Sequence, residues 1–199
     1  MNIPRVLAAF AMAAACGMAA LCQQQQPSGY YSVLCLKVNP GKGAEHRKFW
    51  EEEGRRVMQA MIDSGGLTTY YRLGAVVPSG TSATCDLVSV SFYPGLPTDP
   101  PHREQYEAFL KKAGITESAQ GYITRRDASR TTVSSEIFHS EAMLGSIKKG
   151  DYVSVSYMKT AHIDDWLTME KTIWQPLADV MIKEGVQSGW AVSQLIMPR

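Results

Sequence analysis

The sequence predicts an α+β protein in which a strand–helix–strand unit is used twice. The stretches "MIDSGGLTTYYRLGAVVP" (61–78) and "MIKEGVQSGWAVSQLIMP" (181–198) carry the first signal. Both run Met-Ile, two polar residues, Gly, a variable step, an aromatic, an apolar tail and Pro. Each phrase follows a segment whose apolar residues recur at helical spacing. Each of those segments follows a short run of β-branched and aromatic residues. No Pro/Gly/Ser linker is long enough to separate independent domains, so one compact body is expected.

The first run is "YYSVLCLKV" (30–38), a strand stopped by "NPGKG". Tyr31, Val33 and Cys35 fall on one face and Leu34, Leu36 and Val38 on the other, so both faces should be covered. From 44 to 64 the period becomes helical. Trp50, Gly54, Val57, Met58, Met61 and Ile62 share a stripe, and Gly65 is the stop. "LTTYYRLGAVV" is the returning strand, closed by Pro78. "CDLVSVSFYP" alternates as a third strand. "TDPPHREQYEAFLKKAG", with Asp99 as cap, and "TESAQGYITRRDA" read as short helices, and "TTVSSEIFH" (131–139) as a strand.

The C-terminal unit repeats the order. "YVSVSYMK" (152–159) reads as a strand. Asp164 or a neighbour caps a helix with the stripe Trp166, Glu170, Ile173, Leu177 and Met181. Pro176 should kink that helix near Thr172. Trp166, Trp174 and Trp190 read as core packing of this helix and strand.

The first residues are not fold. A basic start at Arg5, an Ala-rich apolar run and then "QQQQPSG" form the layout of an export signal over 1–22, with 23–29 a flexible start. A second reading makes "AAAC" a lipobox-like end with Cys16 lipidated, against which stands Ala13 where such motifs usually carry Leu. In both, the working chain is periplasmic or secreted, with no transmembrane span once the signal is cleaved. Cys35 and Cys85 remain, to pair in an oxidising compartment or to stay as buried thiols. Formal net charge is +1, from 20 Lys+Arg against 19 Asp+Glu, which argues against a nucleic-acid binder. The cluster Arg125, Arg126 and Arg130 reads as a solvated face, with an anion or partner site as the alternative.

Strand, helix, strand, strand, helix, strand is the ferredoxin-like order. It lays the first and third strands side by side and antiparallel, bringing Cys35 near Cys85. The doubled units, each with a long amphipathic helix and a returning strand ending in Pro, resemble the dimeric α/β-barrel superfamily. That group includes antibiotic-biosynthesis-type monooxygenases, haem-degrading and chlorite-dismutase-like enzymes, NIPSNAP-like proteins and stress-responsive barrel domains. The resemblance covers about residue 30 onwards and implies a barrel-like body with helices on one face of an antiparallel sheet. It also implies a homodimer and a ligand between sheet and helices or inside the barrel. The second unit departs from the pattern, lacking a third strand and a second helix. The expected division is a first unit over 30–139 and a shorter one over 140–199 packed on it.

For chemistry, His46, His102, His139 and His162 form no metal-binding spacing, and no GxGxxG, Walker or GxSxG motif is present. Neither metal nor cofactor is expected. The best constellation is His46, Trp50 and Glu53 on one face of the first helix, facing Tyr70 and Arg72 two residues apart on a strand. Together they could bind a planar, anionic organic molecule, with the imidazole as a base. The plainer reading makes Trp50 core, His46 and Glu53 helix-edge residues and Arg72 surface. Three functions therefore stand: an exported ligand-binding or accessory protein, a cofactor-independent monooxygenase acting on an aromatic substrate, and a structural dimer. A pocket of several hundred Å³ with convergent polar groups would favour the first two.

Overall fold

The structure, a computed structural model, describes residues 29–76, 83–97 and 101–198. The expected leader, the lipidation alternative at Cys16, the start before Gly29, the closing Pro78 and the Asp99 cap lie outside these residues. Five strands form one antiparallel sheet: β1 (Tyr30–Val38), β2 (Thr69–Gly74), β3 (Leu87–Phe92), β4 (Arg130–Gly145) and β5 (Gly189–Pro198), in the order β2-β3-β1-β4-β5. The α+β class is as expected from the sequence. The sheet is open, with β2 and β5 at its edges. β4 runs unbroken across residue 140, so the border expected between the two units falls inside a strand.

β1 lies against β3 with Cys35 opposite Val88, and a Cys35–Cys85 disulfide spans a Cα–Cα distance of 5.3 Å. Lys37 reinforces this corner, donating to the Ala83 carbonyl and pairing with Asp86 at 3.5 Å.

The first helix spans α1 (Gly43–Phe49), a π-helical turn (Trp50–Gly54) and α2 (Arg55–Asp63). Its apolar stripe meets α3 (Arg103–Lys112) and α4 (Ala119–Asp127). Val57, Ala60, Met61, Phe109, Leu110 and Tyr122 form the main core there. Ser118 caps α4, accepting from the Gly121 N–H, which is why a helix holding Gly121 starts where it does. At the end of α2, Gly65 takes φ 73° and its N–H donates to Ile62, while Gly66 N–H donates to the Met61 carbonyl.

The same construction recurs 120 residues on. α5 (Ile163–Met169), a second π-helical turn (Glu170–Trp174) and α6 (Gln175–Lys183) end at Gly185, also at φ 73°, with Val186 N–H donating to Met181. Pro176 sits in the first turn of α6, just after the irregular stretch. The first helix has its π turn at the matching place with no proline, so Pro176 alone does not account for the irregularity.

Four expectations about the second unit are corrected. Residues 152–159 pair with no strand among the described residues. Tyr152 is 86% exposed, Val155 67% and Tyr157 65%. The N-cap of α5 is His162 and no side chain caps it; Asp164 and Asp165 lie in the first turn. Of the expected stripe, Ile173 is 60% and Leu177 47% exposed, Trp166 and Met181 are half-buried, and Glu170 is buried. Trp174 is exposed rather than core. The first helix has α3 packed against its stripe, whereas α6 meets β4 and β5, and 152–159 crosses the aromatic face without pairing to either open sheet edge among the described residues.

The two faces of the sheet differ. Pairing puts Leu34, Ser89, Ser91 and Tyr70 on the face beneath the first helix. Tyr31 lies on the other, stacked between Phe92 at 4.9 Å and Phe138 at 5.3 Å, with Val33, Val88, Val90 and Tyr71 on that side. The extended 151–160 segment reaches this aromatic face through the Tyr157 ring, 6.3 Å from Phe138, and its hydroxyl donating to Glu136.

Candidate functional site

A cleft opens between the first helix, α4 and the sheet. Its walls include Trp50, Met58, Tyr70, Tyr106, Tyr122 and Arg130. The cavity is about 100 Å³ and open on one side. That is below the several hundred Å³ of common ligand pockets, so it admits one ring rather than a cofactor-sized molecule.

Four of the five expected residues meet here. His46, on α1, is 4% exposed and not a helix-edge residue. Trp50 opens the π turn and lies 5.5 Å from the Tyr70 ring. The Arg72 guanidinium stacks on that indole, 4.2 Å from its centroid, and also reaches His46 Nε2. Tyr70 and Arg72 leave β2 on the same face because they are two residues apart. Glu53 is not brought in. It forms a bidentate pair with Arg125 at 2.8 and 2.6 Å, on the outside of α4.

The tautomer of His46 follows from its partners. A guanidinium has only donors, so Nε2 accepts from Arg72 and the proton sits on Nδ1. Nδ1–H then donates to Ser129 Oγ at 3.0 Å, and the Ser129 hydroxyl donates to the Arg126 carbonyl at 3.1 Å. Burial first, and then the charges of Arg72 and Arg130, hold the imidazole pKa down at about 4. His46 is therefore a neutral strut near pH 7. Burial likewise raises the Tyr70 phenol, whose hydroxyl shares a 2.9 Å hydrogen bond with Ser89.

The sequence placed Arg126 and Arg130 on a solvated face, with an anion or partner site as the alternative, and not with the His46 constellation. Of the basic cluster, only Arg125 has the expected solvated character, paired to Glu53 and Glu117. Arg126 and Arg130 turn inward to line the cleft. The signal was available: Arg125 and Arg126 are adjacent on a helix, so they point about 100° apart and cannot share one solvated face. Tyr106, on α3, and Tyr122, on α4, also form cleft wall.

The second unit does not copy the site. The positions 120 residues on from His46, Trp50, Tyr70 and Arg72 hold Trp166, Glu170, Trp190 and Val192. Glu170 is buried, and burial raises its carboxyl pKa. Among the described residues, no group of three His, Cys, Asp or Glu could hold a metal ion, and no helix is long and apolar enough to cross a membrane. No family model, curated protein or solved structure matches the chain.

Proposed function

We propose that this chain is an exported, ferredoxin-like binding protein of barrel type that holds a small planar organic molecule in the cleft between its first helix and its sheet. The observation that carries this reading is the convergence of Trp50, Tyr70, Tyr106 and Tyr122 with arginines around one open cavity. Aromatic walls with a few fixed polar groups are how small ligands are held. Binding is favoured over oxidoreductase chemistry because both nitrogens of His46 are already engaged and its basicity is low. A base must reach the proton that it takes. Native mass spectrometry of the full chain, purified from the cell envelope that exports it, tests the reading. A retained small molecule, lost in Trp50→Ala, is expected; a bare chain would remove tight ligand binding.

A homodimer is the second reading, favoured by the apolar sheet face. Tyr31, Val33, Val88, Val90 and Tyr71 are only half-buried there. A second copy laid face to face would cover them at the usual spacing of stacked sheets, about 10 Å. Sedimentation velocity of wild type and Val90→Lys decides it. A dimer that the lysine dissociates is expected, and a monomer across the micromolar range would end the reading.

A further inference from the structure

Two guanidiniums line the cleft, those of Arg126 and Arg130, and that of Arg72 lies over the Trp50 indole; among the described residues Asp127 is the carboxylate paired with the lining arginines. Asp127 takes Arg126 Nε at 2.8 Å and Nη2 at 2.9 Å in a fork, and stands 3.5 Å from Arg130 Nε. That last contact is long: Arg130 Nε is buried and makes no close, well-directed hydrogen bond among the described residues. Arg72 rests on neutral groups only, the Trp50 ring and His46. Glu53 and Glu117, on adjoining segments, are both held by Arg125. Arg126 and Arg130 against Asp127 leave about one uncompensated positive charge on the cleft lining, where burial weakens its hydration, and burial depresses the pKa of both Arg72 and Arg130.

We propose that Arg130, backed by Arg126, is the seat of a carboxylate, and that the ligand is a single-ring aromatic monocarboxylate lying against Trp50 and Tyr70. This rests on the ligand-binding reading above and adds to it the charge, the size and the orientation of the occupant. The cavity volume caps the size: at about 100 Å³ it is below the roughly 150 Å³ that encloses a benzene ring, so a single ring would extend through the open side. The orientation follows from opposite ends of the lining. The Trp50 and Tyr70 rings, tilted by 32° to each other, supply aromatic lining, and Arg126 and Arg130, from the corner where α4 passes into β4, supply the charge. A carboxylate that meets these guanidiniums from the cleft side gains a charge-assisted hydrogen bond without entering the space that Asp127 fills.

The test titrates the full-length mature protein, its His ring nitrogens and Trp indoles isotopically labelled, with benzoate, with benzamide and with inorganic phosphate. Benzoate is expected to bind saturably, to shift the Trp50 indole resonance, and to raise the His46 pKa from about 4, because an anion offsets the repulsion from Arg130. Benzamide, of the same shape without the charge, is expected to bind roughly tenfold more weakly or worse. Arg130→Gln should remove that tenfold preference and leave benzamide unchanged, while Arg130→Lys keeps some of it. Thermal melts of both variants verify folding. If benzoate and benzamide perturb Trp50 equally, the cleft still binds a ring but the carboxylate seat is wrong. If neither perturbs it, the ligand-binding reading falls as well. Phosphate binding more tightly than benzoate with the same dependence on Arg130 would overturn the aromatic carboxylate. So would benzoate affinity unchanged in both Arg130 variants.

Discussion

A Cβ added at Gly54 would stand 2.5 Å from Trp50 Cε3. The glycine lets the indole lie along the helix, where Arg72 and Tyr70 hold its other side. Gly54→Ala should therefore push the ring into the cleft, and overpacking of this kind costs about 1–3 kcal/mol against an Ala propensity gain of about 1. Urea unfolding reads the net loss, and the altered Trp50 environment should appear in near-UV circular dichroism. His46 gives a pH prediction. Its pKa falls from 6.5 in the unfolded chain to about 4 on folding. Between these values the unfolded state binds the extra proton, so stability drops as pH falls through that window, by at most about 1.4 kcal/mol per pH unit. His46→Gln should flatten the profile across that window, measured by urea midpoints at pH 7, 6, 5 and 4.5. At this scale the sequence revealed which residue types converge, through the spacing of His46, Trp50, Tyr70 and Arg72. It hid Arg130 because a strand residue's neighbours across the sheet cannot be counted from its own segment.

Helix ends are where local sequence speaks most directly. Gly65 and Gly185, both at φ 73°, close the two long helices with the same pair of backbone bonds. Gly65→Ala should cost about 1 kcal/mol, because an L side chain is strained in the left-handed region. Gly43→Ala, where a Cβ meets nothing within 4 Å and φ is ordinary, should be neutral or slightly stabilising. Paired chemical-denaturation curves check both. The strands were harder to read. Alternation marked β1 and β3 correctly, and marked 152–159 just as firmly, yet that segment pairs with nothing among the described residues. Apolar alternation records the wish to be half-buried, whereas a strand also needs a neighbour with unpaired N–H and C=O groups. The two π turns were invisible for a related reason: one added residue per turn leaves the composition of a helix unchanged.

For the whole molecule, the antiparallel sheet and the pairing of β1 with β3 followed from element order alone. The open edges and the exposed residues of the second helix did not, because element order fixes which strands pair and not what covers the outside of the sheet. The Cys35–Cys85 bridge has the largest single effect expected on global stability. It closes a loop with a sequence separation of 50, for which chain entropy gives about 4 kcal/mol. Cys35→Ala/Cys85→Ala should lower stability by about that amount in guanidinium unfolding, with ellipticity of the folded form unchanged. The bridge also fastens the neck of the β2–β3 hairpin, where Ala75 N–H donates to the Asp86 carbonyl. Tyr70 and Arg72 ride on that hairpin. A thiol-rich surrounding would therefore slacken one jaw of the cleft before it unfolded the rest, so that grip on any occupant is strongest where the medium keeps sulfur oxidised.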